Sequence, residues 1–262
     1  MSRLLVSAAG LCAAGIAVAG YAALVEPNRL TVTRPSLPRP VPVRTVFFSD
    51  LHIGRKYSPA HLEPIVDAIN RLHPQLVLFG GDFFAKLPTD RPVLDFDWIA
   101  AQLRRIEAPL GKYAVAGNHD VRHNSLPEFY RLLKAGGFTV LWEQTAQPLP
   151  GLEICGLAPY THGDALRRTG SSAYRICLCH MPDKARYLPL WQCDLMLSGH
   201  SHAGQIRLPV LTGQILPPGG KYYPYGLYQP QGKDRAALFV SRGLGVSGPP
   251  MRLAAPPEIV LL

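Results

Sequence analysis

Seven residues of the chain are of types that hold divalent metals, and each stands just beyond a short apolar run. Asp50 and His52 follow Val43 to Ser49. Asp82 follows Leu76 to Phe79 across two glycines, and Asn118 follows Lys112 to Ala116 within Gly117-Asn118-His119-Asp120. His180 closes Arg175 to Cys179, and His200 and His202 follow Asp194 to Ser198 within Gly199-His200-Ser201-His202. Carboxylate, imidazole and amide donors without a thiolate suit Mn, Fe or Zn in a reactive site better than a structural zinc. Two ions ~3.5–4 Å apart need a shared ligand, and a carboxylate such as Asp82 supplies one. A hydroxide bridging such a pair attacks phosphorus in line, with no protein nucleophile. The leaving oxygen still needs a proton. His119, beside Asn118, is placed to give it as general acid, and Asp120 to orient the imidazole. Alone, Asp-x-His or Gly-Asp is no more than a loop cap or a turn. The specificity lies in the whole set, in this order, at strand ends.

For these donors to meet, the runs that precede them must be neighbouring strands ending on one edge. Each run has the length and composition of a buried strand. Ser58-Pro59 is a helix start, followed by Leu62, Ile65, Val66, Ile69 and Leu72 at helical spacing. Further helices are expected over 97–106 and 126–135, the latter ended by Gly136. Strand and helix alternate, which predicts an α/β domain whose ligand lies beyond the carboxyl ends of the strands. Residues 236–241 and 258–262 read as later strands. Cys155, Cys177, Cys179 and Cys193 lack metal or redox spacing, and buried thiols are the simplest account of them.

Residues Leu4 to Val25 carry no charge and are long enough for the ~30 Å bilayer core. The run is a membrane anchor or, given Ala17-Val18-Ala19, a cleavable signal segment. Arg29, Arg34, Arg39 and Arg44 follow it, a bias toward a cytoplasmic catalytic domain; a cleaved signal would put the domain in the periplasm. The Pro-rich stretch from Arg34 to Pro42 predicts an extended spacer. The expected organisation is therefore an anchor or signal at 1–25, a Pro/Arg-rich linker at 26–42 and one catalytic domain at 43–262. The net charge of +9 favours anionic partners. Arg55, Arg122, Arg207 and Lys221 flank the motifs and are candidates for substrate phosphates. No DNA-binding motif or interleaved basic and aromatic stretch is present, so no specific nucleic-acid partner is expected. No protein partner is predicted either.

The order Asp-x-His, Gly-Asp, Gly-Asn-His-Asp, His, Gly-His-x-His resembles the calcineurin-like metallophosphoesterases from about Val43 to the C-terminus. The resemblance implies two packed mixed β-sheets flanked by helices. It also implies two divalent ions, one on Asp50, His52, Asp82 and His202 and the other on Asp82, Asn118, His180 and His200, with His119 catalytic. The tail, from Ala203-Gly204-Gln205 through Lys221-Tyr222 and Ser241-Arg242-Gly243-Leu244-Gly245 to Arg252 and Pro257-Glu258-Ile259, looks like a bacterial, membrane-associated branch. Some of its members are phosphodiesterases, and others split the pyrophosphate of UDP-diacylglucosamine in lipid A synthesis. Ala203 stands where the usual pattern has glycine. The expectation is a phosphodiesterase or pyrophosphatase at the bacterial inner membrane acting on a lipid-linked phosphate. A nuclease or cyclic-nucleotide phosphodiesterase is the alternative within the chemistry. A non-catalytic scaffold is the alternative outside it, although every expected ligand position is filled.

Overall fold

A computed structural model describes residues 12–167, 173–208, 212–230 and 236–262. Residues 1–11, the first part of the apolar run, lie outside them. Residues 12–20 are helical and pass into a wider turn at Tyr21–Val25. No helix among the described residues is long and apolar enough to cross a membrane.

Two six-stranded mixed sheets form the body. The first has β1 (Thr31–Thr33), β2 (Thr45–Phe48), β3 (Leu76–Phe79), β4 (Lys112–Ala114), β5 (Thr139–Val140) and β12 (Glu258–Leu261), in the order β1-β12-β2-β3-β4-β5. The second has β6 (Gln144–Leu149), β7 (Leu152–Gly156), β8 (Tyr174–Leu178), β9 (Leu195–Ser198), β10 (Gly226–Tyr228) and β11 (Ala237–Val240), in the order β10-β11-β9-β8-β7-β6. Strands β2 to β5 run parallel, as do β7, β8, β9 and β11. The central strands β2, β3, β9 and β11 are buried on both faces and so read as nearly unbroken apolar runs.

Successive side chains still go to opposite layers. Phe47, Leu78, Ile176, Leu178, Leu197 and Phe239 fill the space between the sheets. Val46, Phe48, Val77 and Phe79 pack instead under the helices. Those helices are α1 (Leu62–Arg71), α2 (Phe96–Arg104) and α3 (Leu126–Ala135). The Ser58 hydroxyl accepts from the Ala60 N–H and starts the turn into α1, and Asp95 caps α2 through the Trp98 N–H. Gly136 follows the last residue of α3, but the left-handed residue of that stop is Gly137.

The chain over residues 31–41 is laid across the domain. Thr31–Thr33 pairs with β12, and the Thr33 hydroxyl donates to Glu258. Leu37 and Val41 pack on the inter-sheet core, because extended proline-rich chain offers apolar side chains without N–H groups to satisfy. Cys155, Cys177, Cys179 and Cys193 are buried, no disulfide joins them, and they line the outer face of the second sheet with Leu157, Met196 and Leu238.

Candidate metal centre

The seven donor residues lie together at the carboxyl ends of β2, β3, β4, β8 and β9. Asp50, His52, Asp82, His200 and His202 all adopt left-handed backbone, with φ between 45° and 71°. For non-glycine residues that conformation is strained, and strain of this kind persists only where the surroundings hold it. Here the surroundings are glycines that let backbone close on carboxylate. A Cβ on Gly199 would stand 2.1 Å from Asp50 Oδ2, and one on Gly117 2.0 Å from Asp82 Oδ1. The approach lets the His200 N–H donate to Asp50 at 2.9 Å and the His119 N–H donate to Asp82 at 2.8 Å.

Asp50, His52 and His202 form one group able to hold a cation, and Asp82, His180 and His200 form another. Asp82 lies between them: its Oδ2 is 3.5 Å from His52 Nε2 and 3.2 Å from His180 Nε2. His202 Nε2 is 3.5 Å from Asp50 Oδ1. Buried and without a hydrogen-bond partner are both nitrogens of His52, Nε2 of His180 and His202, and Oδ1 of Asn118. Buried polar atoms are normally satisfied, so a cluster of unpartnered imidazole and amide atoms among carboxylates fits a pair of divalent cations. Backbone carbonyls fix the outer nitrogens. Gly80 accepts from His180 Nδ1 at 2.8 Å, which leaves Nε2 as the donor atom. Pro218 accepts from His200 Nε2 at 2.9 Å, which leaves Nδ1.

Burial drives His52 down to about 3 and His200 to about 4, so both imidazoles are neutral, the form that binds metal. Burial also opposes a charge on His180, but the Asp82 and Asp50 carboxylates outweigh it and raise the group to about 9. Asp82 is the reciprocal case: burial works against its ionisation, and His180, His52 and His119 hold it well below the usual carboxylate range. Burial lifts Asp50 to about 6.

His119 is half-buried on the wall of the cavity and donates from Nδ1 to the Ala85 carbonyl at 2.7 Å. Nε2 is thereby left for proton transfer. Asp120 does not orient this imidazole. Its fully buried carboxylate accepts from the backbone N–H groups of Asp82, Phe83, Phe84 and Gly117, at 2.8 to 3.2 Å. It thus sets the turn that carries Asp82.

The cavity in front of the donors measures about 630 Å³. Of the cations expected to meet phosphate, Arg122 lines it. Arg207 and Lys221 line an adjoining cavity of about 570 Å³ on the far side of residues 212–218. Arg55 reaches neither; its Nε donates to the Thr89 carbonyl. Lys184 and Tyr160, both on the cavity wall, stand outside the motifs. The position of Arg252 is likewise not evident from the sequence. This side chain is fully buried and donates to the carbonyls of Gly245, Ala255 and Arg242, with Nη2 3.3 Å from His202 Nδ1. Lys184 lies four residues past His180, close enough for a search beyond each ligand to have found it.

Comparison with known proteins agrees with this geometry. Residues 43–204 match the family model described as calcineurin-like phosphoesterase. The uncharacterized metallophosphoesterase YkuE of Bacillus subtilis is 33% identical, over 96% of this chain and 93% of its own. Phosphodiesterase YaeI of Escherichia coli is 30% identical, over 93% of this chain and 91% of its own. A crystal structure of a dimetal phosphatase from Danio rerio superposes with a TM-score of 0.50 at 13% identity, covering 79% of this chain and 89% of that one. At that identity the superposition speaks for the fold.

Proposed function

The chain belongs to the calcineurin-like phosphoesterase family and is a metal-dependent phosphoester hydrolase, and from that premise we propose that it cleaves a phosphodiester or pyrophosphate bond in a membrane-linked substrate such as UDP-diacylglucosamine. The observation that carries the hydrolytic reading is the gathering of unpartnered imidazole atoms around Asp50 and Asp82, with Asn118 on the same cavity wall. The phosphodiesterase name of the Escherichia coli relative supports the diester. The lipid-linked part rests on the apolar N-terminal run.

In this reading Asp50, His52, Asp82 and His202 hold one ion and Asp82, Asn118, His180 and His200 the other. The pair of divalent cations, when bound, supplies Lewis acidity toward phosphate oxygens and acidifies water. The protein's own part is orientation and proton transfer. Arg122 and Lys184 draw the phosphate into the cavity. His119, held through Nδ1 by Ala85, delivers the proton from Nε2 to the leaving oxygen. Asp120 and the close approach of Gly117 and Gly199 hold the Asp82 and Asp50 carboxylates in place, which would preorganise the site for two cations. The proposed setting is the bacterial inner membrane, with the apolar run before Tyr21 as anchor and the domain on the cytoplasmic side.

Release of UMP from UDP-diacylglucosamine in detergent with Mn tests the reading, run beside His119→Ala. Release by the unmodified protein alone supports both substrate and general acid. Hydrolysis of an aryl phosphodiester with no UMP released would reject this substrate and keep the enzyme class.

A further inference from the structure

The wall and rim of the catalytic cavity expose large apolar and aromatic groups. Tyr160 and Ile215 line it at 57% and 56% exposure. From lining residue Lys184 the chain runs directly to Arg186 and Tyr187, and from lining residue Gly219 to Lys221 and Tyr222. Tyr187 is 72% exposed and Tyr222 61%. The Arg186 guanidinium lies 5.3 Å from the ring centroid of Tyr187, whose hydroxyl accepts from it, and 3.7 Å from that of Tyr222. This is a mounted group. The Asp183 carboxylate accepts from the N–H groups of Lys221, Tyr222 and Tyr223, and the Asp183 N–H donates to Gly219. A cation in contact with two exposed rings, two to three residues along the chain from the cavity lining, combines interfacial aromatics with a charge for lipid phosphate. Exposed apolar patches of this sort mark contact surfaces.

A second exposed apolar feature is the N-terminal helix. The helix over residues 12–20 is exposed along nearly its whole length, with Ile16 at 74% and Val18 at 50%. At its base the Arg252 N–H donates to the Ala22 carbonyl at 2.8 Å, five residues after Ser247 of the cavity wall.

We propose that the cavity rim is itself a docking surface for an anionic bilayer. Tyr187, Tyr222 and Ile215 enter the headgroup layer, Arg186 and Lys221 meet lipid phosphates, and the mouth opens onto the headgroups. The purpose of this docking rests on the lipid-linked substrate proposed above, but docking and substrate are measured separately. The full chain is reconstituted in phosphatidylglycerol/phosphatidylcholine vesicles, with and without brominated acyl chains. The measurement is made in a Trp191→Phe background, because Trp191 is itself exposed; Tyr222→Trp then adds emission that brominated lipid quenches, whereas Trp98 and Trp142, packed on the core, are unaffected by it. The triple variant Arg186→Gln, Tyr187→Ser, Tyr222→Ser raises KM for a phosphoester presented in those vesicles about tenfold, the scale of one surface cation and two interfacial rings. Its kcat on a soluble aryl phosphodiester is unchanged. Emission from Tyr222→Trp that brominated lipid leaves intact, or an unchanged vesicle KM in the triple variant, overturns the docking surface even if lipid-linked substrate is cleaved. Quenching without cleavage of such a substrate keeps the docking surface and removes the substrate.

Discussion

At the scale of single residues, the site combines strained backbone with buried, unsatisfied donors, and each makes a measurable demand. His119→Ala is expected to lower kcat by about 10²–10⁴, the usual worth of a positioned general acid, while metal content by elemental analysis stays at two ions per chain. Loss of metal together with activity would make His119 a ligand. Gly199→Ala has the opposite signature. Its new methyl collides with Asp50 Oδ2, so metal stoichiometry is expected to fall along with activity. His180 links metal to protons. In chelator-treated protein its raised value keeps it protonated up to about 9, so a cation must displace a proton from it. Metal affinity is then expected to rise with pH up to about 9. Calorimetry near pH 7.5 in buffers of different ionisation heat would detect the released proton; heats independent of buffer would show that none is released.

The elements show why some of this was legible in the sequence and some was not. Ligands sit directly after strands, so the apolar run and the polar cluster announced both at once. Asp50, His52, Asp82, Asn118, His180, His200 and His202 all come to one place. Roles that depend on direction were not legible. The partners of Asp120 are N–H groups created only when the turn after β3 folds, so proximity to His119 in sequence misled. Arg207 and Lys221 were assigned to the catalytic cavity because they follow the motifs, but the segment 212–218 stands between. Thr31-Val32-Thr33 is too short, and too near the prolines, to read as a strand. One tie invisible in sequence is Lys112 on β4. Its ammonium donates to the Leu103 carbonyl in α2 and to the Gly136 carbonyl after α3, both at 2.8 Å. The ends of two helices thus share one cation, where their dipoles favour it. Lys112→Met is expected to cost about 1–3 kcal/mol in denaturant unfolding, with kcat retained.

For the molecule as a whole, the N-terminal region is structurally part of the domain from about Tyr21 onward. Ala22 and Glu26 are buried and take the N–H groups of Arg252 and Ala255, and β1 extends the first sheet. Because Arg252 also reaches His202, these contacts join the base of the N-terminal helix to the metal centre. A chain beginning at residue 34 is expected to melt at lower temperature and to hold metal less tightly than one beginning at residue 20. Equal melting and equal affinity would show that this joint carries no load. The buried cysteines have a separate use. With no disulfide among them and burial raising Cys155, Cys177 and Cys179, they have little thiolate to offer an alkylating reagent, whereas Cys12 is exposed. The native protein is thus its own opening clock: the second sheet's sulfurs label only as fast as that sheet comes apart.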